Sequence, residues 1–303
     1  MSNSIAKHGF ASVPANTNTL FSEVDLKAKS YPIAVPVSET PIPDTPLCRR
    51  IQECARTRLP QPTYHHSLRV YHYGLAIKRY AFPDWSFSDE TYFLACMLHD
   101  IGTTRENLHA TKLSFEFYGG YLALDVLQTQ YDAGDAIASK DQAESIAEAI
   151  IRHQDLRDVG SITALGQLVQ LATIFDNVGG HASLVHDDTV KDVVEHYPRL
   201  KWSSCFAATV AEEVELKPWA HTTALGDFKG HILANPYNSF YLRQYAHEYA
   251  RQLSFSKLSR MSCQNSILDK EFYQRHRTSG TPLPKFFTSA ANASDRAIFQ
   301  EGP

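Results

Sequence analysis

The stretch Thr91–Gly102, TYFLACMLHDIG, constrains this chain more than any other. It reads as a buried helix that ends in an adjacent His99 and Asp100, followed by Gly102. An ionised carboxylate taken out of water costs on the order of several kcal/mol unless it is paired or binds a metal. An apolar helix that carries a His-Asp pair into a core therefore requires partners from elsewhere in the fold.

Helical periodicity supplies them. In TYHHSLRVYHYGLAIKRYA, His66, Val70, Tyr73 and Ile77 share one stripe of a helix, so His66 points to the core. His65 and His72 fall off that stripe and are expected at the surface or its boundary. Tyr92, Ala95, Cys96 and His99 share a face of the central helix. In QAESIAEAIIRHQD, Ile146, Ile150 and His153 share a face, so His153 also points inward. In ITALGQLVQLATIFDNVGG, Leu165, Val169, Ala172 and Asp176 form a stripe with Thr173 beside it, and Gly179-Gly180 ends the helix.

Thr45-Pro46, Ser86 with Asp89, and Asp141 with Glu144 read as helix starts. TTRENLHATK, with His109, reads as a loop. Nearly every periodic segment is helical, and no run of alternating β-branched residues stands out. The expected fold is an all-α helical array with a single core, which puts any site between facing helices. Residues 1–43, rich in Ser, Pro, Ala and Thr, read as an N-terminal arm lying on that core or partly disordered. Residues 44–230 read as the domain itself. Residues 231–303 read as a partly disordered C-terminal extension with one amphipathic helix over about 239–258.

Composition narrows the setting. The net charge of -4 over 303 residues gives no global sign of a nucleic-acid or membrane partner. It is unevenly spread: from Tyr237 onward, nine Lys/Arg face five Asp/Glu. The five cysteines contain no CxxC, which fits a reducing compartment and argues against a disulfide framework or a cysteine-rich zinc site. No apolar run approaches the ~20 residues of a membrane span, and MSNSIAKHGF lacks an apolar signal core. A cytoplasmic protein is expected.

His66, His99, Asp100 and Asp176 thus converge by pattern, from three helices. Two imidazoles and two carboxylates suit Zn²⁺, Fe²⁺ or Mn²⁺. Any one of them alone could be a satisfied core group; four inward together argue for a metal. The order His … His-Asp … Asp resembles that of the HD superfamily of metal-dependent hydrolases, with TYHHSLRVYHYG, LHDIG and LATIFDNVGG as its motifs. With IAEAIIRHQD, SFEFYGG and KPWAHTT added, the chain is similar to the fungal cyanamide hydratases from about His8 to about Asp227.

That resemblance implies an HD-domain array with one divalent metal, zinc first and Fe²⁺ as the other choice, bound by His66, His99, Asp100 and Asp176. It implies a hydro-lyase acting on a small nitrile and assembled as a homo-oligomer. Hydroxide formed on the metal near a pKa of ~7 would add to the nitrile carbon of cyanamide. His153 is the candidate for the proton transfer, with a core histidine bonded to a backbone carbonyl as its plainer reading. Thr173 and Asn177 flank Asp176 and are candidates for substrate binding or for orienting the ligands.

Cys205, near a helix start, offers thiolate chemistry instead, or is simply a core thiol. Trp202, Phe206 and Trp219 line a pocket or belong to the core. The alternatives are an HD phosphohydrolase and a non-catalytic helical binding module. A two-metal phosphohydrolase needs further histidines, but His109 and His153 are 44 residues apart. It also wants inward cations, for which Arg105, Lys112 and Arg152 are the candidates.

Overall fold

A computed structural model describes residues 3–26, 29–130 and 133–238. All of them fall in the first of two units, which ends at position 242. The amphipathic helix expected over 239–258 lies outside the described residues. The fold is all-α, apart from two three-residue strands.

The N-terminal arm carries α1 (Asn3–Lys7), β1 (Ser12–Pro14) and α2 (Thr17–Glu23). α2 is capped by Asn16, whose side chain accepts from the backbone N–H of Asn18 and Thr19. β1 pairs antiparallel with β2 (Ser161–Thr163), Val13 opposite Ile162. The sequence shows no strand here because three residues carry no period and the partner lies far along the chain. Further bonds fix the arm. His8 is buried with Nδ1 3.1 Å from the Thr91 hydroxyl, and Leu165 N–H donates to Gly9 O.

α3 (Pro46–Arg58) starts as the sequence predicts, with the Thr45 hydroxyl accepting from Cys48 N–H and proline in the first turn. α4 (Gln61–Ala81) begins slightly before Thr63. It is buried on nearly every side, and this corrects the expectation for His72. That ring is buried, bonded at 2.6 Å to Thr40 of the arm and stacked on Tyr197. His65 stays at the boundary.

α5 (Asp89–Leu98) is capped by Ser88 rather than framed by Ser86, and His99 is its C-terminal cap. The expected loop holds a short helix, α6 (Arg105–Ala110), capped by Thr104. α7 (Phe115–Gln128) follows, then α8 (Lys140–Arg152), whose cap is Ser139 and not Asp141. α9 (Ala164–Val178) ends at Gly179 in the left-handed conformation, φ 72°. α10 (Asp187–His196), α11 (Trp202–Leu216) and α12 (Phe228–Leu233) complete the described chain.

α4, α5 and α9 make the centre of the core, with α7 and α8 packed beside them. Gly102 allows the closest approach: a Cβ there would stand 2.1 Å from the backbone oxygen of Phe115. Without a side chain at that position, the first turn of α7 packs directly against the His-Asp corner. The described end of the C-terminal extension also packs on the core. Ile232 and Asn235 are buried, and the Tyr237 ring lies 5.2 Å from that of Phe175.

Candidate metal centre

Three of the expected residues meet at one point. His66 comes from α4, His99 caps α5, and Asp100 follows it; all three are buried. One ligand atom from each lies within 4.8 Å of the others. His66 Nε2 is 3.2 Å from His99 Nε2. Asp100 Oδ2 is 3.3 Å from His99 Nε2 and 3.7 Å from His66 Nε2.

Hydrogen bonds behind the rings fix the direction in which they point. His99 Nδ1–H donates to Cys96 O at 2.8 Å, so its other nitrogen faces the centre. His66 Nδ1–H donates to Asp176 Oδ2 at 2.6 Å, which leaves Nε2 for the centre. Asp176, expected as the fourth ligand, is placed here on the opposite edge of the His66 ring. Its oxygens accept from Arg69 Nε and Nη2, at 3.0 and 2.8 Å, and from Arg199 Nη1 at 2.7 Å. Burial disfavours its charge, but Arg69 and Arg199 outweigh burial and hold the carboxyl well below its usual pKa.

The donor set fits a metal on one further observation. Asp100 is 1 % exposed, yet neither carboxylate oxygen makes a hydrogen bond. A buried carboxylate of that kind needs a cation. Burial opposes its charge, but the neighbouring His99 lowers its pKa to about 2. His66 is pushed down to about 4 by burial, so its ring stays neutral, as a ligand must be. For His99, burial works against protonation, but Asp100 outweighs it and raises the pKa.

Two ring nitrogens 3.2 Å apart repel unless a proton or a metal ion lies between them. The two cations therefore compete. Metal affinity is expected to fall about tenfold per unit as pH drops below the raised His99 value, as one proton displaces one ion. Chelator competition from pH 8 down to pH 5 checks this; a flat profile would contradict it.

The His153 ring stands 5.3 Å from that of His99, and its Nδ1–H donates to Ile150 O at 2.7 Å. This is the backbone bond of the plainer reading, and it leaves Nε2 free. Burial, then the neighbouring His99, lowers its pKa. Thr173 donates its hydroxyl to Gln170 O within its own helix. Asn177 Oδ1 accepts from Trp202 Nε1–H at 2.9 Å, and the Trp202 indole stacks on His66 at 4.1 Å. Phe206 stacks on Trp202 in turn, while Trp219 is 61 % exposed. The thiol of Cys205 is pushed up by burial, the reverse of what thiolate chemistry needs. His109 lies on α6 and bonds Glu212 at the surface. Arg105 and Lys112 are exposed and Arg152 is half-buried, whereas the buried guanidiniums of Arg69 and Arg199 already hold Asp176.

Sequence reading missed Arg69 and Arg199, and left Trp202 between a pocket and the core. Arg69 follows His66 by one helical turn, and that spacing was the available signal. Arg199 gave none, and nothing in the sequence set Trp202 against His66. Arg199 and Trp202 flank Leu200 and Lys201, both left-handed at φ 49° and 63°, and this backbone turns both side chains toward Asp176 and His66.

A helical array that brings a histidine and a His-Asp corner together is the arrangement of an HD domain, and the sequence pattern of that domain matches residues 63–178. Two proteins of Saccharomyces cerevisiae, cyanamide hydratases DDI2 and DDI3, are each 41% identical to this chain over 234 residues. The alignment spans 77% of this chain and 99% of either relative. The chain belongs to the HD-domain family that includes these two hydratases.

Proposed function

We propose that this chain hydrates cyanamide to urea, with one divalent metal, zinc first, held by His66, His99 and Asp100. Asp176, the fourth residue of the set, acts from behind His66 in this geometry. The observation that carries the reading is the buried Asp100 carboxylate without hydrogen bonds, in a chain similar to two hydratases along nearly their whole length. A metal held there supplies a Lewis acid and lowers the pKa of a water.

The chain's own residues do the rest. Cyanamide, N≡C–NH₂, is linear and small, and its nitrile nitrogen gains charge as water adds to the carbon. His153 Nε2 is the nearby group free to hold and deliver the proton that this nitrogen takes up. The Thr173 oxygen, its hydrogen given to Gln170, is left to accept from the amino group of the substrate. Asn177 acts through Trp202, which it holds flat against His66 and which keeps water from that side.

The test is urea release from cyanamide set against phosphate release from a nucleotide panel, with zinc, manganese or iron supplied. Urea without phosphate is expected; phosphate without urea would move the assignment to phosphohydrolase chemistry. His153→Ala should keep its metal and lose about 10² or more in turnover. Unchanged turnover would remove His153 from the reaction.

A further inference from the structure

Glu116 is a second carboxylate buried near the centre. It lies in the first turn of α7 and is 0 % exposed. Its Oε1 accepts from His221 Nδ1–H at 2.7 Å, while Oε2 has no hydrogen-bond partner. His221 is 21% exposed at its side chain, so the pair runs from a buried position to the protein surface. On the inner side, the ring of the adjacent Phe115 lies 5.7 Å from that of His153, and His153 feels the charge of Glu116. One carboxylate thus joins the wall that carries His153 to an imidazole in contact with solvent.

We propose that Glu116 and His221 form a proton path between the His153 wall of the site and bulk water. This rests on the hydration reading above. Adding water to a nitrile consumes no net proton, but the water sheds one and the nitrile nitrogen gains one. A path to solvent lets both transfers run without the same proton having to cross the site. Inward, a proton taken up at His221 Nε2 is matched by release from Nδ1 to Glu116 Oε1. A half-turn of the carboxyl presents that proton from the side of Oε2, where a water in the site would take it and give one of its own to His153 Nε2. The reverse sequence exports one.

Charged groups flank both members. Glu116, Asp155 and Arg157 act on His221, and the Phe117 ring stacks on it at 5.5 Å. Glu116 bonds His221 and lies within electrostatic reach of His153, Glu213 and Lys217. The hydrogen bond to Glu116 raises the His221 pKa, which favours proton uptake from water near neutrality.

The experiment uses the full-length, metal-loaded protein with Glu116→Gln and, separately, His221→Gln. Each should lower kcat about tenfold or more in dilute buffer, with KM and metal content unchanged. Added imidazole should restore kcat in His221→Gln, because a small buffer can reach that partly exposed position and carry the proton instead. Full turnover in both variants, or a loss in His221→Gln that imidazole does not relieve while metal is retained, would overturn the path. Should Glu116→Gln fail to fold, His221→Gln at its partly exposed site carries the test. An NMR titration of the His221 ring reads the pair without activity: its midpoint should fall in Glu116→Gln, and an unmoved midpoint would overturn the pairing. Absence of urea from the wild-type protein would instead refute the hydration reading, leaving the titration to decide the pair.

Discussion

Asp176→Ala is expected to cost the fold about 3–5 kcal/mol, because it leaves two guanidiniums buried without their carboxylate. Arg69 is 0 % exposed and Arg199 8 %, and both aim at Asp176. Asn235 and Arg199 also donate to the Asp176 backbone oxygen, so the residue ties α9 to the chain after α10 and to the chain after α12. The same variant should lose metal, since His66 no longer has the partner that points Nε2 at the centre.

The pH dependence has a definite sign. The Asp176 carboxyl is depressed in the folded state, burial being outweighed by Arg69 and Arg199. Its contribution is therefore complete above the unfolded value of about 3.9 and is lost as pH falls below it. Denaturant unfolding of wild type and Asp176→Ala at pH 7 measures the cost. A difference under about 1 kcal/mol would show that the arginines find other partners. Adding Arg199→Met to Asp176→Ala should recover part of the loss, as it removes one of the stranded charges.

Asp100→Asn, on the other carboxylate of the centre, should do the opposite. Asp100 has no hydrogen bond to lose, only its ion contacts to His99 and His66. Without metal, its replacement should cost less than that of Asp176, because only the ion contact to His99 is lost and no pair of guanidiniums is stranded. Metal affinity should fall at least about 100-fold, because a charged ligand has become a neutral amide. Two buried aspartates would then have separate jobs, one holding the fold and one holding the ion. A metal-free Asp100→Asn protein as unstable as Asp176→Ala would show that both are structural.

These contrasts mark where sequence reading stopped. Period places His66, His99 and His153 inward, the end of an apolar run places Asp100 there, and the structure buries all four. Helical stripes are local, so the sequence carries them. The direction of a ring edge is not local. That His66 shows Nδ1 to Asp176 depends on two arginines, one of which comes from the left-handed turn at Leu200 and Lys201. A helical period contains no information about such a turn.

The caps show the same limit on a smaller scale. Ser88 and Ser139 lie within two residues of the expected starts, where several polar residues compete for each cap. His72 looked like a boundary residue because the cover over it, Thr40, belongs to an arm with no period of its own. Glu116 and His221 lie within SFEFYGG and KPWAHTT, yet nothing in either segment says that they meet.

The most direct measurement is a crystal structure of the zinc-loaded protein, with the ion located by anomalous scattering. The account predicts one ion bonded to Nε2 of His66, Nε2 of His99 and an oxygen of Asp100, at roughly 2.0–2.2 Å each. An ion bound elsewhere, or a protein that takes up no stoichiometric metal while Asp100 stays buried without a partner, would contradict it.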